Sequence, residues 1–206
     1  PSVSPLSPDS DNDAPDALGR EQIQQLLEAT TAMPRTGLRD RALITTIVFG
    51  ALRRREVAAL RVQNIRPLGR AWVLDLPDDA TGQYVQIPKT VVDTIEALQE
   101  EQDITQGPLW RSVSRQNAGA PLTPDGVYKA VRRVARHAGV GGVTIDALRQ
   151  AGLRLALDGG ADLAQVQAHG RFSSASAAAR IHQNAETAGT LSNGAASYIQ
   201  LDLSAD

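Results

Sequence analysis

The chain predicts a mostly α-helical domain with one small antiparallel β-sheet. Three observations lead there. Apolar residues recur at helical spacing through most of the 206 residues. Two short stretches, Trp72–Leu76 and Tyr84–Ile87, are β-branched or aromatic and flank a turn-rich run from Pro77 to Gly82. Helix ends are marked by their own capping residues, most clearly at Thr123-Pro124-Asp125 and at Gly139.

Residues 1–18 (PSVSPLSPDSDNDAPDAL) are rich in Pro, Ser and Asp with little to bury, and read as a disordered arm or linker remnant. A domain is expected over 19–190 and a tail over 191–206. Glu21–Ala29 places Ile23, Leu26 and Leu27 on one helical face. Leu38–Phe49 continues as helix until Gly50 breaks it, and Arg53–Leu60 forms the next. After the hairpin, Lys89–Glu101 is amphipathic through Val92, Ile95 and Leu98. Thr123 then caps a helix with Pro124 at its first position and an acid in its first turn. Val127, Val131 and Val134 form its stripe, Arg132, Arg133 and Arg136 lie beside it, and Gly139 ends it. Helices over about 144–158, 162–168 and 174–188 follow.

Composition excludes several chemistries. Cysteine is absent, so disulfides, thiolate zinc sites and cysteine nucleophiles are ruled out. Three histidines leave little for a metal site, and neither metal nor cofactor is expected. No apolar run approaches the ~18 residues of a membrane span, so no membrane partner is expected. Of the 21 basic residues only Lys89 and Lys129 are lysine, which favours planar, bidentate contacts to phosphate or carboxylate.

The formal net charge of −2 conceals an uneven distribution. Residues 35–70 carry nine Arg against Asp40 and Glu56. Residues 105–154 carry eight basic residues against Asp125 and Asp146, and the intervening 71–104 carry eight acids against Lys89. Solvated helix faces and a shared polyanion surface both account for such segments.

Two places hold more than packing residues. One is Gly50-Ala51-Leu52-Arg53-Arg54-Arg55-Glu56-Val57, where an arginine opens a helix just after a break. The other is Asp146-Ala147-Leu148-Arg149 followed by Gly170-Arg171-Phe172-Ser173-Ser174. With Gly37–Phe49 before them, Val85-Gln86-Ile87-Pro88 between them and the Leu122–Gly139 helix, these motifs stand in the order of the tyrosine recombinase (phage integrase) catalytic domain. The chain resembles that family over about residues 20–182.

The resemblance implies that fold, and it places the family's two phosphate-clamping arginines on Arg53 and Arg149. A guanidinium suits that task because its fork donates two hydrogen bonds to phosphate oxygens. Four other positions depart from the pattern. The hairpin lysine becomes Ala80, the His of H-x-x-R becomes Asp146, the His or Trp after the glycine becomes Phe172, and the tyrosine nine residues on becomes Ile181. Without that hydroxyl there is no phosphotyrosine intermediate, and without Lys and His the leaving oxygen lacks its proton donor.

The expectation is therefore a DNA-binding domain that lacks strand-cleavage activity, cytoplasmic and nucleoid-associated, with Arg53, Arg54, Arg132, Arg133, Arg136, Arg149 and Arg171 on the phosphate surface. Other protomers are partners through the C-terminal segment, which the family often passes to a neighbour. One alternative is an active recombinase using Tyr198 as nucleophile, with His169 or His182 as a displaced stand-in; another is a protein-interaction module that has lost DNA binding. In a purely structural reading Arg53 pairs with Glu56, and Phe172 and Ile181 pack in the core.

Overall fold

Helix α2 (Gly37–Gly50) is buried along almost its entire length, and the other elements are arranged around it. Its sequence, GLRDRALITTIVFG, has no polar stripe to face water, the pattern of a central helix. The Thr45 and Thr46 hydroxyls bond back to the Ala42 carbonyl one turn earlier, so their polarity is satisfied in place. The computed structural model describes residues 18–77, 83–172 and 194–204. The expected arm at 1–18, except Leu18, and the helix at 174–188 lie outside the described residues, as do Ala80, Ile181 and His182.

Helix α1 (Arg20–Thr31) buries Ile23, Leu26, Leu27 and Thr30 against α2. The two approach closely because Gly37 has no Cβ, which would sit 2.2 Å from the Thr30 carbonyl oxygen. Helix α3 (Arg54–Ala59) starts one residue after the expected boundary, with Arg53 in extended conformation as its N-cap. A helical turn at Val62–Asn64 leads to the sheet.

That sheet has three antiparallel strands in the order β1 (Ile65–Leu68), β2 (Ala71–Asp75), β3 (Tyr84–Ile87). The hairpin read from sequence is β2 and β3, with Leu74 opposite Val85 and Trp72 opposite Ile87. Strand β1 was not anticipated: Pro67 and half-exposed Ile65 and Arg66 give it no alternating apolar signal. As an edge strand it tolerates the proline, and Gly69 at φ 61° supplies the tight turn into β2. Arg66 holds Asp75 on the neighbouring strand by two hydrogen bonds of 2.7 and 2.9 Å.

Helix α4 (Lys89–Glu101) packs on α2 through Val91, Val92, Ile95 and Leu98. The long connection after it is pinned by buried Trp110, whose indole Nε1 donates to the Val57 carbonyl at 2.7 Å. Helix α5 (Pro124–Ala138) is capped as read: Thr123 accepts from Gly126 N at 3.1 Å, and Gly139 turns left-handed at φ 69°. Helix α6 (Ile145–Asp158) crosses α2 at Gly152, whose missing Cβ would fall 2.0 Å from the Val48 carbonyl oxygen. Helix α7 (Leu163–Gly170) follows, capped by Asp162.

Residues 194–204 lie against the same domain. Ala195, Ala196 and Ile199 are buried in its core, and the backbone of Tyr198 rests on Gly159 at the end of α6. Arg41 Nη2 donates to the Ser204 carbonyl at 2.9 Å, which ties the end of this segment to α2. Among the described residues, no helix is long and apolar enough to cross a membrane.

Candidate nucleic-acid interface

The site grows out of one helix end. Helix α2 stops where Ala51 turns into the left-handed region at φ 46°, leaving the carbonyls of Phe49, Gly50 and Ala51 without partners in the helix. A helix C-terminus carries negative potential, so cationic donors are its natural partners. Two arginines and a histidine from the other end of the sequence bond those carbonyls. Arg149 Nε donates to Ala51 O at 2.9 Å, Arg171 Nη2 donates to the same oxygen at 2.8 Å, and His169 Nε2 lies 2.7 Å from Phe49 O.

Packing makes this convergence possible. Gly152 lies one turn beyond Arg149 on α6 and lets that helix sit against Val48, three residues before Ala51. Gly170 leaves room for the Phe172 ring to fold back; a Cβ there would meet the ring at 2.5 Å. The ring then covers the Arg149 guanidinium at 5.0 Å, within cation–π range. Arg149 also donates to Gly170 O.

Arg53 enters from the opposite side of the Ala51 turn. Glu56 accepts from the Arg53 backbone N–H at 2.6 Å, which caps α3, and from Arg53 Nη1 at 3.0 Å. The sequence allowed this pairing as the ordinary account of Arg53. The structure adds Arg53 Nη2 donating to the Arg171 carbonyl at 3.1 Å, so the two motif arginines do belong to one cluster. The Arg53 side chain remains 50% exposed, whereas Arg149 is 8% exposed.

The electrostatics are those of a site short of negative charge. Burial, then the proximity of Arg53 and Arg171, holds the Arg149 guanidinium below its ordinary pKa; Glu56 and Asp146 pull the other way. Burial also drives His169 down to about 4, against the pull of its bond to Phe49 and with the help of Arg171 and Arg149. His169 is therefore neutral at pH 7, its Nε2–H donating to a helix carbonyl. It caps α2 from inside the core and does not face solvent as a stand-in acid.

The remaining sequence-predicted residues divide by exposure. The Arg171 side chain is 9% exposed, comparable with Arg149. Arg54 is held by Pro124 O at 2.8 Å and Asp125 at 3.1 Å and stacks 5.2 Å from the Tyr128 ring. Arg132 and Arg136 are exposed on α5. Arg133 reaches back to Asp40, a fully buried carboxylate also held by Arg39 at 2.7 Å. Asp146 is exposed in the first turn of α6, where an acid favours the helix dipole. Tyr198 is half-buried at the far end of α6, ten residues and so roughly 15 Å along the axis from Arg149. Among the described residues no group of three His, Asp or Glu side chains could hold a metal ion.

Sequence reasoning missed the central position of Glu56 and the Ala51 carbonyl. Glu56 stood inside the motif, but its second partner, Arg171, is 115 residues away.

A mostly helical domain with a small three-stranded antiparallel sheet is the architecture of a tyrosine recombinase catalytic domain. The chain belongs to the phage integrase family, whose model matches residues 17–187. Among relatives, the tyrosine recombinase XerD of Listeria monocytogenes is 25% identical over 157 residues, covering 74% of this chain and 52% of the relative. That of Listeria innocua is 24% identical over 171 residues, covering 81% and 57%. The chain thus spans little more than half the length of the relatives it matches. XerA recombinase shares the fold with a TM-score of 0.67 at 16% identity, covering 92% of this chain and 63% of that one. A lambda integrase dimer bound to a COC′ core site gives 0.61 at 15% identity, covering 85% and 50%.

Proposed function

We propose that this domain binds DNA through the cluster around Arg53 and Arg149 in a recombination or integration setting, and that it does not cleave the strand. One observation carries the reading: the two arginines at the family's phosphate-clamping positions, 96 residues apart in sequence, meet beside one helix end, where Arg53, Arg149 and Arg171 gather around the single carboxylate of Glu56. A phosphodiester suits such a cluster, since two guanidinia can share its oxygens. Exposed Arg132 and Arg136 extend the basic surface along α5.

The absence of cleavage rests on replaced chemistry. Asp146 stands where the family has a proton-donating histidine, and Phe172 retains only the stacking half of a His or Trp. Ala80 and Ile181 offer neither a general acid nor a nucleophile. Tyr198 is displaced along α6 from the arginines.

Two measurements test the proposal. Fluorescence anisotropy with a labelled duplex, across a series of NaCl concentrations, is expected to show salt-dependent binding that Arg53→Ala with Arg149→Ala abolishes. Unchanged affinity in the double variant would place the phosphate site elsewhere on the domain, and no salt-dependent binding by the wild type would leave the interaction-module reading in its place. Incubation with nicked suicide substrates, followed by denaturing gels, is expected to give no covalent adduct. An adduct that disappears in Tyr198→Phe would establish the active-recombinase reading instead.

A further inference from the structure

Arg171 stands at a backbone position that favours glycine. It is the first residue after α7 and lies in the left-handed region at φ 53°, ψ 47°, where a side chain is strained. Such an outlier persists when its surroundings hold it, and here the side chain is held on every side. Nη1 donates to the carbonyls of His169 at 2.9 Å and Gly50 at 3.4 Å; Nη2 donates to Ala51 O at 2.8 Å and to Glu56 Oε2 at 2.6 Å.

The contacts that fix the two clamp arginines all lead back to this residue. Arg53 is held by the Arg171 carbonyl and by Glu56, which Arg171 also binds. Arg149 is held by Ala51 O, which Arg171 shares, and by Gly170 O and the Phe172 ring, the chain neighbours on either side of Arg171. The left-handed turn aims the Arg171 carbonyl at Arg53 while its guanidinium reaches the α2 end. A right-handed backbone at 171 would break one of these two connections.

We propose that Arg171 is the positioning residue of the phosphate clamp: buried itself, it sets where Arg53 and Arg149 present their remaining N–H groups. This rests on the reading of the cluster as a DNA phosphate site. The step from a bound arginine to an organised pair is general, since a donor array acts on an anion only when its geometry is fixed beforehand.

The test uses Arg171→Gly, because glycine accepts the left-handed backbone without strain, with circular dichroism to confirm folding. Duplex DNA binding is read by anisotropy across NaCl concentrations. The variant is expected to bind roughly tenfold more weakly, the loss typical of one charged hydrogen bond. In an Arg53→Ala background, Arg171→Gly is expected to cost less further affinity than in the wild type, because the part of its effect that passes through Arg53 is already lost. Unchanged affinity in Arg171→Gly overturns the proposal. So does a full additive loss in the double variant, which would make Arg171 a direct phosphate contact.

A second readout does not depend on DNA. In ¹⁵N–¹H spectra of the arginine Nε–Hε groups, loss of the Arg171 side chain is expected to shift the Arg149 resonance and leave those of Arg132 and Arg136 in place. An unmoved Arg149 resonance overturns the positioning role. If Arg53→Ala leaves DNA affinity intact while that resonance still shifts, the phosphate-site reading has failed and the positioning has not. Should Arg171→Gly fail to fold, Arg171→Lys keeps the charge and loses the fork, and the same readouts apply.

Discussion

Arg149 and Arg171 share a single acceptor: the Ala51 carbonyl oxygen lies 2.9 Å from Nε of the first and 2.8 Å from Nη2 of the second. Two guanidinia this close repel unless something negative lies between them. Here the C-terminus of α2 and the Glu56 carboxylate serve, and Glu56 is the nearest full negative charge in the cluster. The arrangement is a positive site built on a helix end, and its parts come apart under mutation in different ways.

Arg53 and Arg149 should separate binding from stability. Arg53→Ala removes a half-exposed side chain and is expected to weaken DNA binding and lower the salt slope by about one, with stability within ~0.5 kcal/mol of wild type. Arg149→Ala leaves the Ala51 and Gly170 carbonyls without this buried donor, and is expected to cost about 1–3 kcal/mol of stability as well as binding. Urea unfolding beside anisotropy measures both. Equal stability losses in the two variants would contradict the burial difference.

His169 gives the fold a pH dependence of defined sign. Its folded pKa of about 4 lies below the unfolded 6.5, so the unfolded chain binds the extra proton. This stability is fully present above pH 6.5 and is lost as pH falls through 6.5 towards 4. The loss is about 3 kcal/mol, on the scale of 1.36 kcal/mol per pKa unit. In His169→Gln, which keeps a donor for Phe49 O and does not titrate, the unfolding free energy from urea titrations should fall less by that amount between pH 7 and 4.

Gly152→Ala should pry α6 from α2. The new methyl would sit 2.0 Å from a backbone oxygen, which cannot rotate away. A destabilisation of about 1–3 kcal/mol is expected from such overpacking. Because Gly152 is one turn from Arg149, DNA affinity should fall with it, and a variant that lost stability alone would show that the crossing does not set the clamp.

Asp40→Asn tests the buried ion network on the other side of the core. It leaves Arg39, 3% exposed, without its counterion, and weakens the hold on Arg133. A loss of about 3–5 kcal/mol is expected on urea unfolding. Binding by the variant that remains folded should be unchanged, since Asp40 makes no contact with the Arg53 cluster.

Local signals carried far in this chain. The α5 helix was legible end to end because capping acts within four residues: Thr123 on Gly126, Pro124 at the first position, Gly139 at the last. Helix α4 follows its apolar period from Lys89 to Glu101, and the β2–β3 pair follows its β-branched and aromatic content. Strand β1 carried no such period, since an edge strand with one face in water needs none.

The order and spacing of the arginine motifs determined, from sequence alone, the family. Which arginines are exposed was decided only by the tertiary structure. Arg132, Arg133, Arg136 and Arg171 are chemically alike, yet Arg133 turns inward to Asp40, 93 residues away, and Arg171 turns to Glu56, 115 residues away. A guanidinium's role depends on which acceptors the packed helices bring within 3 Å of it. That is set by close crossings such as Gly152 on Val48, which no local stretch of sequence contains.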